Sequence, residues 1–369
     1  MKIAIILGTR PEIIRLSLII KKCKENFDLL LIHTGQNWDH NLNDIFFEQL
    51  EIPKPNYFLD CNKGNLGENM GSIIHKTYDV LLKEKPDALL VLGDTNSCLS
   101  VISAKRLKIP IFHMEAGNRC FDFRVPEEIN RKIVDHTSDI NLCYTVNSKN
   151  YLINEGFTKD NVFVVGSPMP EIMEYYKDKI DKSEILEKLN IKQKKFFLFS
   201  IHREENLDLD NNLISIMNSI NHICEIYNMP VIFSTHPRTK KKIDALNINL
   251  NNNKMIFSEP FGYFDYVQLI KNSYCFVSDS GTISEEVAWL ETPGVTLRTS
   301  IERPEAVEAG NIIVSGLETD NIINSINFAV NSVMSSIPND YTVLDTSSRV
   351  IKIILSYHHI VNKKVWFKS

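Results

Sequence analysis

The sequence predicts an α/β protein built as two doubly wound halves, each a parallel sheet with crossover helices. Three observations carry that reading. Short β-branched runs alternate with longer helix-periodic stretches from one end to the other. The alternation restarts after the break Gly166-Ser167-Pro168-Met169-Pro170. The length, 369 residues, suits about two domains at roughly 150 residues each.

In the first half, continuous apolar runs at 3–7, 29–32, 88–92 and 111–112 read as strands buried on both faces. Pro11 sits where a first helical turn tolerates it, and Ile13, Ile14, Leu16, Ile19 and Ile20 give the following helix its apolar face. A strand at 162–165 runs into the break, which places the domain boundary at Pro168: residues 1–168 form one domain and 169–369 the other. A Lys/Asp/Glu-rich helical stretch then extends to about Lys188. The second half offers strands at 196–199, 231–233, 255–257, 275–277 and 295–297. A last helix at 347–358 is expected to pack back on the first domain, with the Lys-Lys-Val-Trp-Phe-Lys tail frayed.

Composition narrows the function classes. With 43% hydrophobic and 24% charged residues the chain is neither collagen-like nor disordered. Acidic residues outnumber basic ones 46 to 41, a net charge of -5, which argues against broad capture of nucleic acid or an anionic membrane but leaves room for a local basic pocket. The seven cysteines are spread without a C-x-x-C pair. They read as apolar thiols of a reducing cytosol rather than disulfides or metal ligands. The N-terminal apolar run is too short for a signal peptide, and no run of about 18 apolar residues follows.

In open α/β sheets ligands lie beyond the carboxyl ends of the strands, so the residues after each strand are the candidates. The first strand delivers Gly8-Thr9-Arg10-Pro11-Glu12, with Arg10 and Arg15 near a helix N-terminus that suits an anion. The segment lacks G-x-G-x-x-G, so a dinucleotide cofactor is not expected. The next strands deliver Gln36, then Asp94, then Glu115, and Pro126-Glu127-Glu128-Ile129-Asn130-Arg131 opens a helix with Glu127 and Arg131 on one face. Taken singly, Asp94 has a plain alternative as a helix cap and Glu115 a minority one as a structural ion pair. Together, carboxylates beside arginines at one sheet edge suit acid/base chemistry on a phosphorylated substrate. The second half delivers His202-Arg203 and His236 after its first two strands. Ser280-Gly281-Thr282 then opens a helix whose amides can cradle a diphosphate, Glu286 can accept from ribose hydroxyls, and Arg303 follows the next strand.

These strings in this order resemble the non-hydrolysing UDP-N-acetylglucosamine 2-epimerase family, from Lys2 to about Tyr357. The resemblance rests on Gly8-Thr9-Arg10-Pro11-Glu12, Gly93-Asp94-Thr95, Glu115-Ala116-Gly117, Pro126-Glu127-Glu128-x-Asn130-Arg131, His202-Arg203-x-Glu205-Asn206, Asp279-Ser280-Gly281 with Glu285-Glu286, and Glu302-Arg303-Pro304-Glu305. It implies a glycosyltransferase-B-type fold of two Rossmann-like domains with the active site between them, a UDP-sugar substrate, no cofactor or metal, no nucleic-acid or membrane partner, and a cytoplasmic homodimer. Residues 113–122 and 33–37 are similar to the branch that makes UDP-N-acetyl-L-fucosamine from UDP-2-acetamido-2,6-dideoxy-L-talose, for capsule or O-antigen. The chain departs from the common pattern at Arg15, where a Lys is usual, and at Gln36-Asn37-Trp38-Asp39, which replaces a Gln-His-Arg string linked to activation by a second substrate molecule.

The C2 hydrogen of a 2-acetamido sugar has no adjacent carbonyl to acidify it. The resemblance therefore implies loss of UDP from C1, formation of a 2-acetamidoglycal and re-addition after protonation from the other face. Asp94, Glu115 and Glu127 are its acid/base candidates and His202 a fourth catalytic residue, while Arg10, Arg15, Gln36, Arg131, His236, Ser280, Gly281, Thr282, Glu286 and Arg303 bind substrate. Other readings of the same residues are a retaining glycosyltransferase and a non-catalytic nucleotide-sugar-binding protein.

Overall fold

A computed structural model describes residues 1–36, 40–207, 209–235, 237–246, 254–333 and 336–368, with the backbone alone for 40–44, 204–205 and 237–238. The chain forms two Rossmann-like α/β units, the fold class its alternating pattern predicts. The first comprises Met1–Ile172 together with Val343–Ser369, and the second Met173–Thr342.

Among the described residues of the first unit, seven strands form one sheet: β1 (Lys2–Leu7), β2 (Asp28–His33), β3 (Tyr57–Phe58), β4 (Ala88–Leu92), β5 (Ile111–Met114), β6 (Ile140–Cys143) and β7 (Val162–Val164). Their order is β3-β2-β1-β4-β5-β6-β7, and every pairing is parallel. The second unit aligns β8 (Phe197–Ser200), β9 (Val231–Ser234), β10 (Met255–Ser258), β11 (Cys275–Ser278), β12 (Gly294–Thr296) and β13 (Ile312–Val314) in the order β10-β9-β8-β11-β12-β13, again all parallel.

In both sheets the strand order reverses beside the first strand, between β1 and β4 and between β8 and β11. Crossovers leave in opposite directions at such a point, and the gap outside the strand ends is where an open α/β sheet binds its ligand. Register brings those ends level: Leu7 pairs with His33, Leu92 with Met114, and Ser278 with both Ser200 and Thr296. Helices seal the sheet faces, with Ala4, Ile6, Leu89 and Val91 fully buried in one cluster and Phe197, Phe199, Phe233 and Val277 in another.

Strands β3, β6 and β13 fall outside the sequence reading. The charged stretch after the break is three short helices, Pro168–Tyr175, Lys177–Asp181 and Ile185–Lys188. The last helix is longer than expected, Thr346–Lys364, and packs on Arg10–Asn26 within the first unit. Its start is pinned by Thr346, which donates to the Val165 and Ser167 carbonyls at 3.2 and 3.1 Å. The tail is not frayed: Lys368 donates to the Lys108 carbonyl at 2.6 Å, and the Lys105 ammonium lies 5.3 Å from the Trp366 ring centre. Among the described residues no helix is long and apolar enough to cross a membrane.

Candidate active site

The end of β1 is a glycine because nothing larger fits. A Cβ on Gly8 would run into the hydroxyls of Thr34 and Ser97, which bond each other at 2.7 Å. The chain then enters the helix Arg10–Asn26, and Glu12 in its first turn is 1% exposed. Its carboxylate accepts from the Gly8 amide at 3.0 Å, the Thr9 hydroxyl at 2.7 Å and the Thr95 hydroxyl at 3.1 Å. Glu12 thus ties the loop after β1 to the loop after β4. Burial pushes its carboxyl up to about 7, against the pull of those donors. Arg10 is half-buried at the first helical position. Gln36 accepts from the amide and hydroxyl of Ser97 at 3.3 and 3.1 Å, at the same edge.

Glu115, directly after β5, has a left-handed backbone with φ 62° and is 6% exposed. A non-glycine residue in that region at a ligand-binding edge is a strained position that the surrounding structure must hold. Holding it are Arg15, which pairs with the carboxylate, and Asn118, which donates to it at 3.3 Å and in turn accepts from Ser148 at 2.9 Å. Asp94, after β4, does not cap the following helical turn with its side chain. Its carboxylate accepts from Arg131 Nε at 2.7 Å, and Arg131 Nη1 also pairs with the buried Glu128 at 2.9 Å. Asn130 donates to the Asp94 carbonyl at 2.9 Å. Glu127 is half-buried in the first turn of Pro126–Thr137. The structure therefore brings Arg15 to Glu115 and Arg131 to Asp94, two carboxylates each held by its own guanidinium at one sheet edge.

In the second unit, His202 follows β8 with its ring 61% exposed and Nδ1 3.0 Å from Asp279 Oδ1. Asp279 is fully buried and also accepts from the amides of His202 and Arg203 at 3.1 and 2.9 Å and from Asn206 at 3.0 Å. Burial alone would raise this carboxyl, but the His202 ring and the converging donors hold it down to about 2. His202 is thereby oriented from its Nδ1 side. Ser280 and Thr282 bond each other through their hydroxyls at 2.9 Å. Their amides donate to the Ser278 and Ser280 hydroxyls at 3.1 and 3.3 Å. Arg303 is buried, not a surface loop residue: it donates to the Gly281 carbonyl and lies 3.8 Å from Glu285. Glu286 is 3% exposed in the helix Ile283–Trp289. Arg298 grips Glu302 with two hydrogen bonds of 2.8 and 2.7 Å, and Ser280, Gly281, Arg298, Glu302 and Arg303 line one crevice.

His236 and the segment Asn37-Trp38-Asp39 lie outside the described residues. The sequence reading passed over Glu12, Glu128 and Asp279 as site residues. Each sat in a quoted motif, which was the available signal.

The sequence profile of the UDP-N-acetylglucosamine 2-epimerase family matches residues 21–355 of this chain. The UDP-N-acetylglucosamine 2-epimerase of Methanocaldococcus jannaschii is 41% identical over 339 residues, 90% of this chain and 93% of the relative. The UDP-2,3-diacetamido-2,3-dideoxy-D-glucuronate 2-epimerase of Pseudomonas aeruginosa is 36% identical over 359 residues, 96% and 99% of the two chains. Among solved structures, a UDP-N-acetylglucosamine 2-epimerase from Rickettsia bellii superimposes with a TM-score of 0.93 at 44% identity over 100% of both chains. The M. jannaschii UDP-GlcNAc 2-epimerase in complex with UDP-GlcNAc and UDP gives 0.90 at 38% identity, covering 96% of this chain and 100% of that one.

Proposed function

The chain belongs to the UDP-N-acetylglucosamine 2-epimerase family and is an isomerase of the UDP-sugar 2-epimerase kind, and on that premise we propose that it inverts C2 of UDP-2-acetamido-2,6-dideoxy-L-talose to give UDP-N-acetyl-L-fucosamine. The observation that carries the reaction type is the pair of separately gripped carboxylates, Glu115 with Arg15 and Asp94 with Arg131. Inverting a carbon centre without a redox step takes one group to remove a proton from one face and another to return it to the opposite face.

UDP leaves C1 first, and the positive charge developing at C1 makes the C2 hydrogen acidic. A carboxylate takes that proton, leaving the 2-acetamidoglycal, and a second acid returns a proton from the other face as UDP re-adds. Asp94, Glu115 and Glu127 share these roles. His202, Arg10, Arg303 and the Ser280-Gly281-Thr282 turn receive the departing diphosphate, Glu286 holds the ribose, and Gln36, Arg15, Arg131 and His236 contact the substrate around them. His202, backed by the ionised Asp279, suits a charge that grows as the C1–O bond breaks. No step calls on a cofactor.

The L-series sugar is supported by His33-Thr34-Gly35-Gln36-Asn37 and by residues 113–122, the strings similar to the fucosamine-forming branch. With it goes a place as a cytoplasmic homodimer supplying capsule or O-antigen synthesis. A second reading, UDP-N-acetylglucosamine to UDP-N-acetylmannosamine, is favoured by the 41% identity to an enzyme of that name. Incubation with each UDP-sugar separately, with C2 configuration read by NMR, decides between them. Turnover of the L-talose derivative with none of UDP-N-acetylglucosamine is expected, and the reverse result replaces the first reading with the second.

A further inference from the structure

The first sheet divides between β1 and β4, and the backbone stops joining those strands before their ends. Pairing of β1 with β4 runs from Ile3 and Ala88 to Ile5 and Leu90 and ends there, whereas β1 stays paired with β2 through Leu7 and His33. Past that point the backbone ties each loop outward, the Thr34 amide to the Leu7 carbonyl at 2.8 Å and the Gly93 amide to the Met114 carbonyl at 2.9 Å. Side chains cross the gap instead: Thr34 and Gln36 meet Ser97, and Glu12 meets Thr95. Of these three, Glu12 touches the chain neighbours of both Arg10 and Asp94.

We propose that Glu12 is a positioning residue for the epimerisation. Its Oε2 holds the Gly8-Thr9 turn that leads into Arg10, its Oε1 holds Thr95 beside Asp94, and together they set the spacing of those two groups. The inference rests on the reading of Arg10 as a diphosphate ligand and of Asp94 as a proton-transfer group.

Two observations separate this role from helix capping. A glutamate at the third position of a helix caps by reaching back to its own N-terminal turn, as Oε2 does toward Gly8 and Thr9. Capping asks nothing of the second oxygen, yet Oε1 accepts from Thr95, 83 positions along the chain. The Cys98 thiol, which donates to the Leu92 carbonyl at 3.0 Å, lies 4.0 Å from the same oxygen. A capping glutamate can also stand in water, whereas Glu12 is 1% exposed. Burying a carboxyl costs free energy that its hydrogen bonds must offset, so the partners on each oxygen hold the side chain in one place. The chemistry needs that constancy: the diphosphate leaves C1 while a carboxylate takes the proton from C2, so Arg10 and Asp94 act around adjacent atoms of one ring. Misplacing a reacting group by about 1 Å costs such a step about 100-fold.

Steady-state kinetics on the full-length protein test it. Thr95→Val removes the far end of the brace and leaves Glu12 and its own turn intact. Its kcat is expected to fall about 30- to 100-fold with KM within about twofold, since misplaced groups cost the chemical step and not binding. Thr95→Ser, which restores the hydroxyl, is expected to return kcat to within about threefold of wild type. An unchanged kcat in Thr95→Val, or a Thr95→Ser no better than Thr95→Val, overturns the proposal. Glu12→Gln keeps the size of the side chain but puts an amide nitrogen where one oxygen accepts. Because Glu12 and Thr95 act through one bond, the double variant Glu12→Gln/Thr95→Val is expected to keep kcat within about threefold of Glu12→Gln alone; losses that multiply overturn the proposal. If Glu12→Gln does not fold, the two Thr95 variants decide alone. Asp94→Asn separates the two levels: if it turns over normally, the reading of Asp94 fails and the brace with it, whereas an inactive Asp94→Asn beside a fully active Thr95→Val sinks only the brace.

Discussion

At the scale of single residues, carboxylates that look alike in sequence do different work. Asp94 and Glu115 stand at strand ends with guanidiniums beside them, while Glu12, one helical turn into the chain, is sealed off as a brace. Changing Asp94→Asn or Glu115→Gln is expected to lower kcat by about 10²- to 10⁴-fold while KM and UDP affinity change little, as fits groups needed for proton transfer; steady-state kinetics beside UDP titration checks this. Glu12 leads to a prediction about stability. Its carboxyl is raised from 4.5 to about 7 in the folded chain, so the folded state holds this proton more tightly than the unfolded one. That contribution is complete below about pH 4.5, is lost as pH rises toward 7, and amounts to about 3 kcal/mol at most. Denaturant melts of wild type and Glu12→Gln across that window measure it: the Gln variant is expected to lack this part of the slope.

At the scale of elements, the tight turns after strands set where the charged groups point. A Cβ on Gly117, at φ 79°, would drive into the Ser148 carbonyl, a backbone atom that cannot swing away. Gly117→Ala is therefore expected to destabilise the first unit by about 1–3 kcal/mol or more, read as a lowered melting temperature with activity lost alongside. Gly281 differs. Its Cβ would meet Arg303 Nη1 at 2.9 Å, the far end of a flexible side chain. Gly281→Ala is expected to fold normally and weaken UDP binding several-fold by displacing that guanidinium, measurable by calorimetry. The elements that position the site were the legible ones. Strands β1, β4, β8 and β11 are continuous apolar runs ending at Gly or Ser, a pattern with one structural meaning. Strands β3, β6 and β13 escaped because two or three residues of Tyr57-Phe58 or Ile312–Val314 carry no period, and Asn141 interrupts β6 with a polar side chain that donates to Asp135.

At the scale of the whole molecule, a net charge of -5 conceals separate local balances. Arg15, Arg131, Arg298, Arg303 and Arg119 are each paired with a carboxylate within its own unit. Sequence could point to the strand-end residues because the α/β rule places them at one edge. It could not show which charge meets which, since Arg15 finds Glu115 across 100 positions and His202 finds Asp279 across 77, distances that only the strand order closes.

The central claim is that C2 is inverted by proton loss and return after UDP departs, with no redox step. Turnover of the UDP-sugar in D2O, followed by NMR at C2 and by mass spectrometry, tests it most directly. Deuterium is expected at C2 of every product molecule, with traces of free UDP and the 2-acetamidoglycal; epimerised product that retains its C2 hydrogen would contradict this mechanism.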